Sequence, residues 1–288
     1  MWNKNGRSVM LLENAVFTSG LAVRPALEKL LPAPAELIEL LSRRGFLSLR
    51  VFAGGQHFKV AECRSSEQAL LAEAALMQAR HAGGPVPEFV GREQAVIATD
   101  WVEGSNVAHE PCSRQKEILL DCQVALHGTP LDDGWEAGAR YVHLEALSDR
   151  FRRMAPPVFN EKEIQKALAK LWKGVPAASA VSVLHPDLIP ANVVLADHGP
   201  VVIDNEAITI GYGREFDIWH TAESLCGHRN DRGMARYVNE YHDRFPCPSA
   251  LERKPVWDGF RRLRRVMKAL EKGRRIKARW LARPLLVG

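Results

Sequence analysis

Between Val181 and Glu206, His185, Asp187 and Asn192 stand at H-x-D-x-x-x-x-N spacing among short apolar runs, and Asp204 closes the next such run. Oxygen donors of the Asp and Asn type suit Mg²⁺ better than Cys or His does. Phosphoryl transfer needs such a set: one carboxylate beside the acceptor hydroxyl, plus oxygen ligands that hold one or two Mg²⁺ ions against the phosphates. Val193-Val194-Leu195 and Val201-Val202-Ile203 are separated by Asp197-His198-Gly199-Pro200, which reads as a β-hairpin around a turn. Asn192 then enters the first strand and Asp204 leaves the second, both at one end of the hairpin. Asp187 lies five residues before Asn192, on an irregular loop that can face the same cleft.

The elements upstream must bring a nucleotide to that end. Residues 46–52 alternate as a strand, Ala53-Gly54-Gly55-Gln56 is a turn, and residues 57–61 return as a second strand. Ser65 or Ser66 caps a helix over about 67–80, stopped by Pro85 and Pro87. Residues 95–99 form another strand that runs into Asp100-Trp101-Val102-Glu103-Gly104. Before residue 43 the chain looks helical and loop-like; residues 24–41 carry apolar side chains at helix spacing, interrupted by Pro32 and Pro34. Beyond Gly104 helices are expected over 112–127, 144–153, 161–172 and 220–244, with a further apolar stripe through Phe260, Leu263 and Leu270.

The loop, the run ending at Asp204, and the continuation that ends Gly-Arg-Glu-Phe-Asp-Ile-Trp at Trp219 together resemble the protein-kinase-like phosphotransferases. The flavour is that of the aminoglycoside phosphotransferase and choline kinase group, and the resemblance covers about residues 45–220. It implies an α+β, two-lobed protein-kinase-like fold, with a small antiparallel-sheet N-lobe (1–103) and a mainly helical C-lobe (104–288). It implies an ATP- and Mg²⁺-dependent kinase that moves the γ-phosphate to a hydroxyl of a sugar, aminoglycoside or amino alcohol. In that frame Asp187 orients or deprotonates the acceptor, and Asn192 and Asp204 hold Mg²⁺. Lys59 touches the α- and β-phosphates, and Glu73 pairs with Lys59, Glu67 being the fallback. The backbone from Asp100 to Val102 meets adenine. His185 supports the loop by hydrogen bonds, Asp217 braces it, and Leu126-His127 resembles a Leu-His pair of the C-lobe. Gly45 is the single candidate for a glycine-bearing loop over the phosphates. Taken alone, a strand lysine or helix glutamate is usually just solvated; the register with the loop motif sets Lys59 and Glu73 apart.

Three positions depart from the pattern. Pro186 replaces a glycine or arginine, Asn205 stands where an aromatic residue is common, and Ile189 occupies the place of a phosphate-contacting lysine of protein kinases. Ile189 argues against a protein kinase; Pro186 and Asn205 motivate the alternative of a catalytically degenerate binding module.

The 288 residues, 46% hydrophobic and 25% charged, are those of an ordinary globular chain able to bury one large core or two smaller ones. No apolar run approaches a membrane span, and the opening Met-Trp-Asn-Lys leads to no signal-type apolar segment. Five scattered cysteines without C-x-x-C spacing read as reduced thiols. A cytoplasmic location is expected. The net charge of +5 is concentrated between Arg261 and Arg279, where ten Lys or Arg face one acid, Glu271. This is either the solvated face of an ordinary helix or a contact for an anionic membrane surface over residues 261–280, at the inner face of the membrane. The second reading allows an envelope or lipopolysaccharide sugar kinase. Nucleic acid fits less well, because only Trp280 interleaves with the basic run.

Overall fold

The computed structural model of the chain describes residues 16–42, 46–177 and 179–286. Internal packing divides it into two units: one holds the chain up to Asp132 together with Val183–Ile210, the other Asp133–Ser182 with the chain from Gly211 onward. Gly45, read above as a loop candidate, lies outside the described residues, as does the N-terminal start.

The first unit is built on five antiparallel strands: β1 (Ala35–Ser42), β2 (Ser48–Ala53), β3 (Gln56–Glu62), β4 (Phe89–Glu93) and β5 (Val96–Asp100), in the order β1-β2-β3-β5-β4. The β2–β3 hairpin turns on Gly54 and Gly55, at φ 55° and 83°, positive angles that a two-residue hairpin turn needs and glycine supplies without strain. Helix α1 (Val23–Leu30) buries Val23, Ala26, Leu27 and Leu30 in a core with Leu49, Val51, Val60, Val96 and Ala98 of the sheet.

Two expectations are corrected here. The helical spacing read over 24–41 holds only through Leu30; after Pro32 and Pro34, residues Ala35–Ser42 form β1 and pair with β2, Ile38 opposite Val51 and Leu40 opposite Leu49. The prolines end the helix, and the open edge of β2 then recruits the segment. β4 was not expected at all: its Gly91 and Arg92 break the apolar alternation, and pairing with β5 supplies the order.

Ser65 caps α2 (Ser66–His81) by accepting from the Gln68 amide at 3.1 Å. The helix turns Ala69, Ala72, Ala75 and Ala79 inward. Glu62, at the end of β3, is buried and accepts from the amides of Thr18 (3.0 Å), Ser19 (2.7 Å) and Leu47 (3.3 Å). Burial alone would raise its pKa, but these amide hydrogen bonds outweigh it and hold the carboxyl below its usual range.

The rest of this unit comprises β6 (Ser105–Asn106), α3 (Cys112–His127), β7 (Ser182–Leu184), β8 (Val193–Ala196), β9 (Gly199–Val202) and β10 (Thr209–Gly211); β7 pairs with β10, and β6 joins the β8–β9 hairpin. Gly104 makes this junction. Its φ is 148°, and a Cβ there would lie 2.1 Å from the Leu195 carbonyl oxygen and 2.8 Å from Val194 Cγ1. Gly104→Ala is therefore expected to destabilise the protein by about 3 kcal/mol, combining backbone strain with overpacking. Urea denaturation checks this: a midpoint equal to wild type would show that the junction yields without cost.

The second unit is helical: α4 (Trp135–Gly138), α5 (Val142–Met154), α6 (Glu161–Lys173), α7 (Arg214–Cys226), α8 (Asp231–Arg244), α9 (Pro248–Glu252), α10 (Lys254–Glu271) and α11 (Arg275–Leu286). The helix expected over 220–244 is two helices. Gly227, at φ 78°, ends α7, and Asn230 caps α8 by accepting from the Gly233 amide at 2.9 Å. The apolar stripe of α10 is buried through Trp257, Phe260, Leu263, Val266 and Met267. Its basic residues are largely spent inside the unit. Arg261, 4% exposed, pairs with Asp258 and with Glu223 at 3.4 Å, and Arg265 reaches Glu223 at 3.4 Å. All five cysteines are free. Among the described residues no helix is long and apolar enough to cross a membrane.

Candidate active site

The loop that carries His185 and Asp187 begins where β7 ends. Pro186 and Asp187 occupy the centre of a tight turn closed by the Leu188 amide on the His185 carbonyl at 3.2 Å. Proline presets φ for the first central position of such a turn. The departure at Pro186 is therefore a fit to this backbone and not an erosion of it. His185 is buried, while Asp187 is half-buried.

A short 3₁₀ turn, Pro190–Asn192, then delivers the chain to β8. The Asn192 Nδ2 donates to the Asp187 carbonyl at 2.9 Å, and the Asn192 amide donates to the Ile189 carbonyl at 2.9 Å. This leaves the side-chain oxygen of Asn192 as the atom suited to a cation. The β8–β9 register sets Val193 opposite Val202, and the Ile203 amide donates to the Asn192 carbonyl at 2.8 Å. Asn192 and Asp204 accordingly share one end of the hairpin.

Asp204 sits at φ 62° and ψ 47°, a left-handed conformation that Asp tolerates better than most residues. It opens the 3₁₀ turn Asn205–Ala207, in which the buried Asn205 Nδ2 donates to the Val202 carbonyl at 3.0 Å. The second departure thus also has a structural task. Asn205 ties the turn back to β9, and Glu206 comes round beside Asp204.

Lys59 on β3 meets this turn. Its Nζ donates to Asp204 Oδ1 and lies 3.4 Å from Glu206 Oε2, with the lysine side chain only 12% exposed. Burial by itself would lower the Lys59 pKa, but the charges of Glu206 and Asp204 and their hydrogen bonds overcome it and hold the ammonium above its usual range.

The Glu73–Lys59 pair expected from the sequence is corrected. Glu73 Oε2 accepts from Arg92 Nε at 2.5 Å, because its position on α2 faces β4, whereas Lys59 takes Asp204 and Glu206 as partners. Glu67, the fallback, is exposed in the first turn of α2. The Asp100 amide donates to the Glu88 carbonyl at 2.9 Å, and the Trp101 amide donates to the His57 carbonyl at 3.1 Å. Val102 follows in irregular backbone. Asp217, in the second unit, is buried on α7 with His143 Nδ1 3.5 Å from its Oδ1. His127 is buried at the end of α3.

Two residues escaped the sequence reading. Glu206 is one; its signal was the two-residue spacing after Asp204 on a segment too short to be a strand. Asn106 is the other: its Nδ2 donates to the Ala191 carbonyl at 2.7 Å, so β6 holds the 3₁₀ turn that aims Asn192. A lone Asn after a serine carries no sequence signal for that role. Among the described residues no group of three or more His, Cys, Asp or Glu is arranged to hold a metal ion. The donor set here is two carboxylates and one amide oxygen.

A profile of the phosphotransferase enzyme family (APH) matches residues 39–256. The chain belongs to this family. No curated protein matches it. Solved structures do, at low identity and with the same fold. Aminoglycoside-3'-phosphotransferase of type VIII shares 22% identity at a TM-score of 0.55, covering 82% of this chain and 98% of that one. Spectinomycin phosphotransferase APH(9)-Ia, in complex with ADP and spectinomycin, shares 10% identity at a TM-score of 0.59, covering 91% and 88%. A thermostable mutant of aminoglycoside phosphotransferase APH(4)-Ia, in ternary complex with ADP and hygromycin B, shares 13% at a TM-score of 0.56, covering 91% and 96%. As an APH-family member the chain is a phosphotransferase enzyme, with the kinase-like α+β fold of antiparallel sheet and helical C-terminal part that the loop motif implied.

Proposed function

We propose that this APH-family chain is an ATP- and Mg²⁺-dependent small-molecule kinase, with a hydroxyl of a sugar, aminoglycoside or amino alcohol as acceptor. The observation that carries this is the convergence of Lys59 on Asp204 and Glu206 at the hairpin end shared with Asn192. The ADP, hygromycin B and spectinomycin bound by the neighbouring structures support a nucleotide and a polar hydroxylated acceptor. The donor set suits Mg²⁺, which is commonly held by one or two carboxylates and keeps waters or phosphate oxygens for its other positions. Asp204, Glu206 and Asn192 would hold it, and when bound it neutralises charge on the phosphates.

The chain's own groups then have distinct tasks. Lys59, kept as an ammonium, presents a fixed positive charge to phosphate oxygens. Asp187 orients the acceptor hydroxyl and takes its proton. The backbone of Asp100 and Val102 pairs with adenine. Glu73, held by Arg92, supports α2 beside the sheet. In this reading residues 1–103 carry the nucleotide-binding sheet and the Glu73 helix, and 104–288 the catalytic loop and the basic tail.

A catalytically degenerate module is the rival reading, and the structural tasks of Pro186 and Asn205 weigh against it. ATP is expected to raise the melting temperature only when Mg²⁺ is present, by an amount equivalent to about 2.7 kcal/mol at a hundredfold excess over Kd. No metal-dependent shift would favour the rival. A radiolabelled ATP screen over sugars, amino alcohols, aminoglycosides and lipid-linked acceptors identifies the substrate class.

A further inference from the structure

Helix α11 packs inward through Ala278, Ala282 and Leu285. On the opposite side it presents Ile276, 89% exposed, and Trp280, 68% exposed. The two stand at i and i+4, neighbours on one helix face. Isolated exposed apolar residues are common, but these two adjoin. With Gly273, Arg274, Arg275 and Lys277 they line a shallow open groove of about 840 Å³ at the α10–α11 turn. From Lys272 to Arg283 the chain has six Lys or Arg and no acid. Arg279 is engaged with Glu163 at 3.3 Å and the Val158 carbonyl at 2.6 Å, whereas Arg274, Arg275 and Lys277 line the groove and Lys272 is exposed next to Gly273.

We propose that this turn and the outer face of α11 dock onto an anionic lipid bilayer, Ile276 and Trp280 entering the headgroup region and the ring of cations meeting the lipid charge. Trp favours that interface, where its ring is apolar and its N–H stays hydrated. Basic side chains beside it add attraction to anionic lipid. The charge also decides against the other occupants. A second copy would set one basic ring against another, and a nucleic acid would find one aromatic residue for stacking. The structure narrows the basic tract that matters, since Arg261 and Arg265 are spent within the unit. The inference stands on this surface alone and is independent of the phosphotransferase reading.

The test is co-sedimentation of the full chain with phosphatidylcholine vesicles, with and without phosphatidylglycerol. Two variants accompany it: Ile276→Ser with Trp280→Ser, and Arg274→Glu with Arg275→Glu and Lys277→Glu. All five side chains are solvent-exposed, so both variants should melt as wild type does. Wild type is expected to pellet with anionic vesicles at low salt, to be released as salt rises, and to stay in the supernatant with neutral vesicles. Each variant should bind at least about tenfold more weakly, since each cation near the surface adds attraction to anionic lipid and the apolar pair contributes by burial. No binding to anionic vesicles would overturn the proposal, as would equal binding to neutral ones. So would undiminished binding by the serine variant, which would leave a general polyanion contact, or wild-type self-association that the serine variant loses, which would make the face an interface between copies.

Discussion

Asp187→Asn is expected to bind Mg-ATP as wild type does and to lose roughly 10²–10⁴-fold of its phosphoryl-transfer rate, the range associated with a positioned proton acceptor. The turn is closed main chain to main chain between Leu188 and His185, and the Asn192 side chain reaches the carbonyl of residue 187, which the substitution leaves in place. Asn is nearly isosteric with Asp, so the aim of Asn192 should persist and with it the metal-dependent thermal shift. Loss of transfer with the thermal shift retained separates chemistry from binding. Full activity in Asp187→Asn would remove the assigned role, and loss of the shift would mean that residue 187 belongs to the nucleotide site instead.

Much of the candidate site's hairpin was legible because its signals are local. The β8–β9 hairpin follows from β-branched runs around Asp197-His198-Gly199-Pro200, and a hairpin places its two free ends together whatever surrounds it. The same holds for the β2–β3 hairpin, where two glycines demand the turn, and for α2, whose Ser65 cap satisfies the Gln68 amide three residues on. The kinase-like fold of the APH family was readable from the motif, which imposes its own neighbours in sequence.

What escaped was decided between distant segments. Residues 35–42 have the apolar spacing of a helix, and only the open edge of β2, far from any local signal, makes them a strand. The partners of Lys59 turn on the handedness of one residue. With Asp204 in the left-handed region the chain curls at once into a 3₁₀ turn, and Glu206 arrives beside the ammonium. No reading of β3 and α2 could foresee that Glu73 would be engaged by Arg92, because β4 was not anticipated and Arg92 is on it. The basic tail misled in the same way. Its charges look solvated in sequence, yet Arg261 and Arg265 turn inward to Glu223, an acid on a different helix.

Lys59→Met is expected to tighten divalent-cation binding to the nucleotide-free protein by about tenfold while reducing phosphoryl transfer by roughly 10²–10³-fold, the cost of losing one preorganised charge donor. The two effects have opposite sign because one side chain does both jobs. Without nucleotide, the ammonium of Lys59 neutralises Asp204 and Glu206, so a cation seeking those oxygens must displace it. Methionine keeps the length and flexibility of the stem and fills its channel without charge. Two unit charges about 4 Å apart at an intermediate dielectric interact by about 4 kcal/mol, and partial solvent exposure of the carboxylates cuts that to the tenfold range. Raising the pH through the range in which carboxylates are already ionised should bring wild type no closer to the variant, since Glu206 and Asp204 overcome burial and keep the lysine protonated above its usual range. Electron paramagnetic resonance of Mn²⁺ with both proteins measures this directly. Unchanged or weaker Mn²⁺ affinity in Lys59→Met would show that Asp204 and Glu206 do not act together as the cation's donors, and the assignment of the hairpin end as the metal site would go with it.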